Sequence, residues 1–218
     1  MAKKKIITKD NLVSLYMDYV LRHDSKPKSV YAFSKDNNFE EQDFYTYFGS
    51  FDALEQTVFE LFFENTLSTL QKSNDYNAFS PKDKLLSFYF TFFEVLTANR
   101  SYVVHALQPH KGQLNTMRVL SPLKKSFSQY IEHLGIKTID LKQEQLEKFQ
   151  NRGLKESAWF QLLVTIKFWL DDTSASFEKT DLFIEKSVRA SFDLIDVTPL
   201  KSIIDFGKFL FKEKIQMN

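Results

Sequence analysis

The stretch from Val30 to Leu54 places the tightest constraint on the fold, and it reads V-Y-A-F-S-K-D-N-N-F-E-E-Q-D-F-Y-T-Y-F-G-S-F-D-A-L. Val30 and Phe33 have the spacing of a short amphipathic helix. Asn37-Asn38 then supplies a turn, because Asn tolerates the left-handed backbone that a tight turn needs. A second short helix follows, and Gly49-Ser50 precedes a long third helix. The pattern indicates a helix-turn-helix.

Apolar residues recur along most of the remaining chain at the 3.6-residue period of amphipathic helices. With only 5 Gly and 5 Pro in 218 residues, the chain lacks the turn residues of a many-stranded β protein. Phe is unusually frequent, at 23 residues, and so many rings need a sizeable core or a cavity to line. We therefore predict an all-α protein of about nine or ten helices with no strand.

Charge balance and cysteine content exclude several classes of protein. Lys and Arg total 29 against 28 Asp and Glu, so the net charge of +1 excludes a uniformly basic nucleic-acid coat protein. Zero cysteines exclude disulfides, thiolate metal sites and cysteine nucleophiles. The start M-A-K-K-K-I-I-T lacks the apolar core of a signal peptide, and no run approaches the ~20 apolar residues of a membrane span. We expect a cytoplasmic protein.

Local signals divide the chain into helices. Ser80-Pro81 is a helix start, since Ser can cap a helix and Pro fits its first position, and Thr198-Pro199 repeats this start. Polar residues from Lys72 to Phe79 predict a loop, whereas Ile136 to Arg152 is only weakly specified. Beyond the helix-turn-helix, the expected helices run from about residues 9–23, 51–70, 80–96, 102–107, 114–134 with an interruption at Ser121-Pro122, 157–170, 177–194 and 198–212.

The opening stretch resembles the N-terminal domain of TetR-family regulators, which carries a valine, an Ile-Ala pair, an Ala-Gly-Val turn and a Leu-Tyr pair in this order. The resemblance covers about the first 70 residues. It implies a TetR-like fold with a helix-turn-helix domain at residues 1–54 and a helical ligand-binding and dimerisation domain at residues 55–218. The matching positions are Val30, Phe33-Ser34, Asn37-Asn38-Phe39, Phe44-Tyr45, Tyr47-Phe48, Asp52 and Leu54.

The resemblance implies that the start of the second short helix meets base edges and phosphates. Here that start is Glu40-Glu41-Gln42-Asp43, whose three carboxylates oppose the phosphate field of DNA. A carboxylate can accept a hydrogen bond from cytosine, but acids at a helix start also stabilise the helix dipole without any ligand. Phe51 stands where the family usually carries a basic residue, which removes one phosphate contact.

The lysine-rich N-terminus could compensate for this loss by following a DNA backbone or a minor groove. It could equally be a solvated tail. Tyr45 stays available as a phosphate contact. The candidate DNA-binding residues are Lys3, Lys4, Lys5, Lys9, Ser29, Glu40, Glu41, Gln42 and Tyr45.

For the C-terminal half, the resemblance implies a small-molecule site and a homodimer formed by two helices of each copy. The segments Ser157–Leu170 and Phe177–Leu194 are the best-placed pair. Aromatic residues at helical spacing could wall an apolar pocket, although they are also ordinary core residues. The candidate pocket residues are Phe90, Phe93, Leu96, Tyr102, Trp159, Phe160 and Phe168.

A second, shorter resemblance runs from Phe168 to Asp181, F-W-L-D-D-T-S-A-S-F-E-K-T-D. It is similar to TetR-fold accessory proteins of ubiquinone biosynthesis, in which this region and a terminal amphipathic helix serve an isoprenoid-lipid pocket and membrane contact. The same residues have a structural explanation, since Asp171, Thr173 and Ser174 can end one helix and cap the next. A basic amphipathic last helix fits either a membrane surface or docking on the core.

Catalytic signatures are missing from the sequence. There is no Gly-rich phosphate loop and no Gly-x-Ser-x-Gly elbow, and the four histidines lack metal-ligand spacing. We expect neither an enzyme nor a cofactor. Two hypotheses remain: a transcriptional regulator whose DNA binding is modulated by an apolar small ligand, or a TetR-fold protein that no longer reads DNA and binds a lipid-like ligand or a partner protein.

Overall fold

The computed structural model describes residues 7–107, 113–136 and 144–196, which contain ten α-helices and no strand. The predicted all-α class is confirmed. The helix expected at Thr198 to Lys212 lies outside these residues. The helices are α1 Lys9–His23, α2 Val30–Asp36, α3 Glu41–Tyr45, α4 Phe51–Gln71, α5 Pro81–Ala98, α6 Arg100–Ala106, α7 Gln113–Val119, α8 Ser121–His133, α9 Glu144–Asp171 and α10 Glu178–Asp196.

Capping side chains fix several of the helix starts that the sequence predicts. Ser29 and Ser50 accept hydrogen bonds from the Ala32 and Ala53 backbone N–H groups at 3.1 and 3.2 Å. Ser80 accepts one from the Asp83 N–H at 3.2 Å, so its predicted role as a cap is confirmed. The interruption expected at Ser121-Pro122 is also present, because α7 ends at Val119 and α8 begins at Ser121.

The predicted start of α9 is wrong by more than three turns, since the helix begins at Glu144 and not at Ser157. The residues before Ser157 are largely Glu, Gln, Leu and Lys, which are good helix formers. Gly153 lies inside this helix, and a helical Gly costs only about 1 kcal/mol, too little to end it. The loop predicted at 72–79 contains a 3-10 turn at Tyr76–Ala78, which buries Tyr76.

The chain divides into two compact units, Met1–Lys72 with Thr91–Phe127 and Ser73–Phe90 with Ser128–Asn218. The first unit contains α1 to α4, α6 and α7. Its core is formed by fully buried residues such as Leu12, Phe59 and Val103. Residues 54 and 55, where the two predicted domains meet, lie inside α4, and that boundary stays a prediction.

The second unit is built around α9 and α10, which pack against each other. Trp169, Ile184 and Val188 are fully buried there. The hydroxyls of Tyr76 and Tyr130 share a hydrogen bond at 2.9 Å, which ties the 3-10 turn to α8.

Asp172 directly follows α9 and connects it to the start of α10. Its carboxylate accepts hydrogen bonds from the hydroxyl and backbone N–H of Ser174 and of Thr180, at 2.7–3.0 Å. The Ser174 hydroxyl, followed by the other three donors, holds the pKa of Asp172 well below its usual value. The Asp-Asp-Thr-Ser turn therefore has a structural role as a helix cap.

Candidate nucleic-acid interface and ligand cavity

Aromatic rings hold the helix-turn-helix together. The Phe33 ring has its centroid 5.6 Å from Phe39, 6.4 Å from Phe44 and 5.5 Å from Phe51, and each of these three rings is edge-on to Phe33. Phe51 also stacks on Tyr16 of α1 at 5.7 Å. Phe51 is therefore part of the packing between helices, and this explains an aromatic residue at a position where the resemblance described above implies a basic one.

The turn between α2 and α3 has the geometry that the sequence predicts. Asn38 has φ 59°, in the left-handed region that Asn and Gly tolerate best. The Phe39 N–H donates to the Ser34 carbonyl at 3.0 Å, and the Asn37 amide donates to the Phe33 carbonyl at 2.8 Å. These contacts return the chain from α2 to α3 over the four residues that separate the two helices.

The start of α3 presents polar side chains to solvent. Glu40 and Gln42 are exposed, Glu41 is half-buried, and Tyr45 keeps 53% of its surface exposed. Asp43 accepts a hydrogen bond from the Glu40 backbone N–H at 3.2 Å, so this carboxylate has a local capping role. The acidic character that the sequence indicates is thus present on the exposed side of α3.

The other DNA-binding candidates divide into three groups. Ser29 is exposed, and its hydroxyl is engaged in capping α2. Lys9 is half-buried at the start of α1. Lys3, Lys4 and Lys5 lie outside the described residues. The chain is attached to the helix-turn-helix at Ile7, whose carbonyl accepts a hydrogen bond from the Tyr47 hydroxyl at 3.4 Å.

Sequence reasoning missed two exposed cations of the helix-turn-helix. Lys28 is exposed just before α2, and the Lys35 ammonium lies 5.7 Å from the centroid of the exposed Tyr31 ring. Their sequence signal was the position of α2 itself, since Lys28 precedes this helix and Lys35 lies in its last turn, and the first helix of a helix-turn-helix crosses the DNA backbone.

A cluster of four charges lies in the same unit, formed by Lys26, Asp52, Glu55 and Arg118. Lys26 donates to Asp52 at 2.8 Å and to Glu55 at 2.7 Å. Arg118 of α7 lies 2.8 Å from Asp52 and 3.4 Å from Glu55. Burial alone would lower the pKa of Lys26, but the hydrogen bonds to Asp52 and Glu55 outweigh it and raise this pKa.

The charges of this cluster act on the buried phenol of Tyr16. Burial, followed by the charges of Glu55 and Asp52, raises the pKa of Tyr16 far above its usual value. The Tyr16 and Tyr102 hydroxyls have no hydrogen-bond partner among the residues that the structure describes. Glu55 is the buried member of the cluster, whereas Asp52, Lys26 and Arg118 stay partly exposed.

The predicted pocket residues divide between the two units. Phe93, Leu96 and Tyr102 are buried in the first unit. In the second unit Trp159 is buried, whereas Phe90 and Phe168 are each 37% exposed and Phe160 is 67% exposed. Because helical spacing alone does not tell which face of a helix an aromatic residue occupies, the sequence could not separate these two sets.

The second unit contains a cavity of about 480 Å³, lined by residues of α5, α8, α9 and α10 and by Ile136. Of the predicted pocket residues, Phe160 lines it. Apolar side chains form most of the wall, including Leu85, Ile131 and Phe192. Among the described residues that line it, Ser157, Gln161 and Ser191 are polar and none is charged.

An exposed apolar strip follows α9 and α10. Phe160, Val164 and Phe168 recur every four residues on α9 and keep 67%, 37% and 37% of their surface exposed. Leu182 and Leu194 of α10 are also exposed, and the Phe168 and Phe183 rings stack at 4.6 Å. These helices contain both segments that the sequence assigns to dimerisation. Aromatic and aliphatic side chains this exposed are typical of an interaction surface.

Comparison with known families identifies the class of protein. A family model described as tetracyclin repressor-like, C-terminal domain, matches residues 84–210, more than half of the 218 residues. The chain therefore belongs to the TetR family. The match covers the C-terminal part of the chain, whereas the resemblance described from the sequence was stronger in the N-terminal part. None of the curated proteins compared with the chain matches it.

Two further findings concern the described ranges. Within them, no helix has both the length and the apolarity needed to cross a bilayer. In the same ranges, no three His, Cys, Asp or Glu side chains gather as a metal site.

Proposed function

We propose that this protein is a homodimeric transcriptional regulator whose DNA binding is modulated by an apolar small molecule. The observation that carries the proposal is the helix-turn-helix, with α2 and α3 joined by the left-handed Asn38 turn and held by Phe33. Membership of the TetR family supports it. Each copy would place α3 in the major groove, where Gln42 and Tyr45 are the side chains best exposed to meet bases and phosphates.

The attraction between the protein and the DNA phosphates must then come from residues that flank α3. Lys28 and Lys35 are exposed cations of this region. The attachment of Ile7 beside Tyr47 supports a role for Lys3, Lys4 and Lys5 as a basic arm. Together these residues would offset the repulsion between phosphates and the acidic start of α3.

The exposed strip of α9 and α10 supports the homodimer. Phe160, Val164 and Phe168 form a row that a second copy of the same two helices would cover. An interface of this type is isologous, so the same residues would face each other across a two-fold axis. The two helix-turn-helix domains would then meet the two halves of a palindromic site.

A DNA selection tests the proposal. The protein is incubated with a pool of genomic fragments, the bound fragments are sequenced, and their affinity is measured by mobility shift at several salt concentrations. We expect one palindromic sequence to be enriched, with an affinity that falls steeply as salt rises. Adding an extract that contains apolar small molecules should release the protein from this DNA. Recovery of fragments without a common sequence contradicts DNA reading.

The second candidate is a TetR-family protein that has lost DNA reading and binds a lipid-like ligand, such as an isoprenoid, or a partner protein. The observation that favours it is the acidic start of α3, with Glu40 exposed and Glu41 half-buried, together with the packing role of Phe51. It predicts no enrichment in the selection described above and copurification of an apolar molecule with the protein.

A further inference from the structure

We infer that the cavity lined by α5, α8, α9 and α10 is a binding site for an uncharged, largely apolar molecule. This inference rests on the proposed function, in which an apolar ligand modulates DNA binding, and it locates and defines that ligand. The cavity of about 480 Å³ lies within the roughly 300–1,000 Å³ that small-molecule sites occupy.

The wall of the cavity selects against charge. None of the described residues that line it is charged, and its apolar surface includes Leu85, Ile131, Phe160 and Phe192. An ionised carboxylate or ammonium buried here would lose its hydration without gaining an opposite charge, which costs several kcal/mol at the least. A neutral ligand incurs no such cost and gains from burying its apolar surface.

The polar residues of the wall set how much polarity the ligand can carry. Gln161 donates to the Ser187 hydroxyl at 3.2 Å and accepts from the Ser191 hydroxyl at 3.0 Å. The Ser157 hydroxyl donates to the Leu154 carbonyl at 3.0 Å. These donors are already engaged, whereas serine oxygens can still accept a hydrogen bond. The site therefore fits a hydrocarbon body with at most a single hydroxyl or N–H donor.

Two fluorescent probes with the same aromatic skeleton separate this site from general apolar adhesion. N-phenyl-1-naphthylamine is neutral, and 8-anilinonaphthalene-1-sulfonate carries a sulfonate. We expect the full-length protein to bind the neutral probe at least about tenfold more tightly than the anionic one. Equal affinity for the two probes would overturn the inference.

Matched substitutions place the probe. Ala158 lines the cavity, whereas Ala190 is exposed on α10 and does not line it. Ala158→Phe fills the cavity and should weaken the neutral probe about tenfold or more, while Ala190→Phe should leave its affinity within about twofold. Equal effects of the two substitutions would contradict the assignment, because the probe would then bind the outer surface.

A charge substitution keeps the test valid if the cavity-filling variant fails to fold. Ser157 is exposed at the cavity wall, so a lysine there can be tolerated. Ser157→Lys should strengthen the anionic probe relative to the neutral one by about tenfold, and Ala190→Lys should change this ratio little. An unchanged ratio in Ser157→Lys would overturn the inference.

The second copy is the competing occupant, since Phe160, Val164 and Leu194 belong both to the cavity wall and to the exposed strip. If the neutral probe binds a Val164→Asp monomer but not the dimer, the partner's helices fill the cavity and the inference is wrong. None of these measurements contains DNA. Failure here therefore leaves DNA reading untouched, and failure of the DNA selection leaves the cavity assignment untouched.

Discussion

The Lys26 ammonium lies 2.7 Å from the Glu55 carboxylate, across 29 residues of sequence. The Glu55 side chain is only 5% exposed, whereas that of Lys26 is 41% exposed. Arg118 of α7 reaches the same carboxylate, so Glu55 connects the loop before α2 with a helix 63 residues further along. Glu55 therefore couples the helix-turn-helix to the rest of its own unit.

Removing the charge of Glu55 should destabilise the protein. Glu55→Gln leaves Lys26 and Arg118 without the buried carboxylate, and breaking a buried pair in this way costs about 3–5 kcal/mol. Because both cations are partly exposed, water compensates them in part, and we expect a loss of about 1–3 kcal/mol. Urea unfolding followed by circular dichroism measures it.

Glu64→Gln is the matched control, because Glu64 lies on the same helix and is exposed. Its effect should stay within about 0.5 kcal/mol. Equal unfolding midpoints for the two variants would show that the buried charge of Glu55 contributes nothing to the stability of the fold.

The same cluster should make stability depend on acid. The hydrogen bond from Lys26 holds the pKa of Asp52 below its usual value. A carboxyl whose pKa is lower in the folded state contributes stability above its unfolded pKa of about 3.9, and loses it as pH falls through the folded pKa. Lys26→Met should therefore flatten the decline in unfolding free energy between about pH 5 and pH 2.

Lys28→Met serves as the comparison, since Lys28 lies in the same loop and is exposed. It should leave the slope of stability against pH close to that of the wild type. A Lys26→Met protein that loses stability in acid as steeply as the wild type would contradict the assignment of Asp52.

The Asn38 turn provides a test within a single position. Its φ of 59° is costly for a β-branched residue and easy for glycine. Asn38→Val should destabilise the protein by about 1–2 kcal/mol, whereas Asn38→Gly should stay within about 0.5 kcal/mol of the wild type. Thermal unfolding of the two variants checks this, and equal losses would show that the backbone conformation is not what Asn38 provides.

The sequence predicts features that depend on neighbouring residues. The cap at Ser80, the Asn38 turn and the break at Ser121 each follow from residues fewer than five apart. The Glu55 cluster could not be predicted, because its cations lie 29 and 63 residues away. Side-chain periodicity also failed to show that Tyr102 is buried in one unit and Phe160 exposed in the other.

Salt dependence of DNA binding tests the proposed phosphate contact of Lys28. Each contact to duplex DNA contributes about 0.9 to the slope of log affinity against log salt. Lys28→Ala should weaken binding to the selected site and lower this slope by about 2 in a dimer, one contact for each copy. Mobility shift at four or more salt concentrations measures the slope.

Lys72→Ala is the control for lost charge alone, since Lys72 is exposed at the end of α4. It should change the affinity little and the slope by less than about 0.5. Equal slopes for Lys28→Ala and the wild type would place Lys28 away from the phosphates, and Lys35 would be the next residue to substitute.

A charge on the exposed strip should break the proposed homodimer. Phe160 keeps 67% of its surface exposed on α9, and an aromatic anchor at the centre of an interface commonly contributes more than about 2 kcal/mol. Phe160→Asp places two carboxylates near each other across a two-fold axis, so the dissociation constant should rise by at least about thirtyfold. Sedimentation velocity over a range of concentrations measures it.

Leu21→Asp is the matched control, because Leu21 is an exposed apolar residue of α1 with 45% of its surface exposed. Its dissociation constant should equal that of the wild type. A Phe160→Asp protein that remains dimeric would place the interface elsewhere. A monomeric variant should also lose affinity for the palindromic site, because each copy then binds its half-site on its own and the link between the two copies is gone.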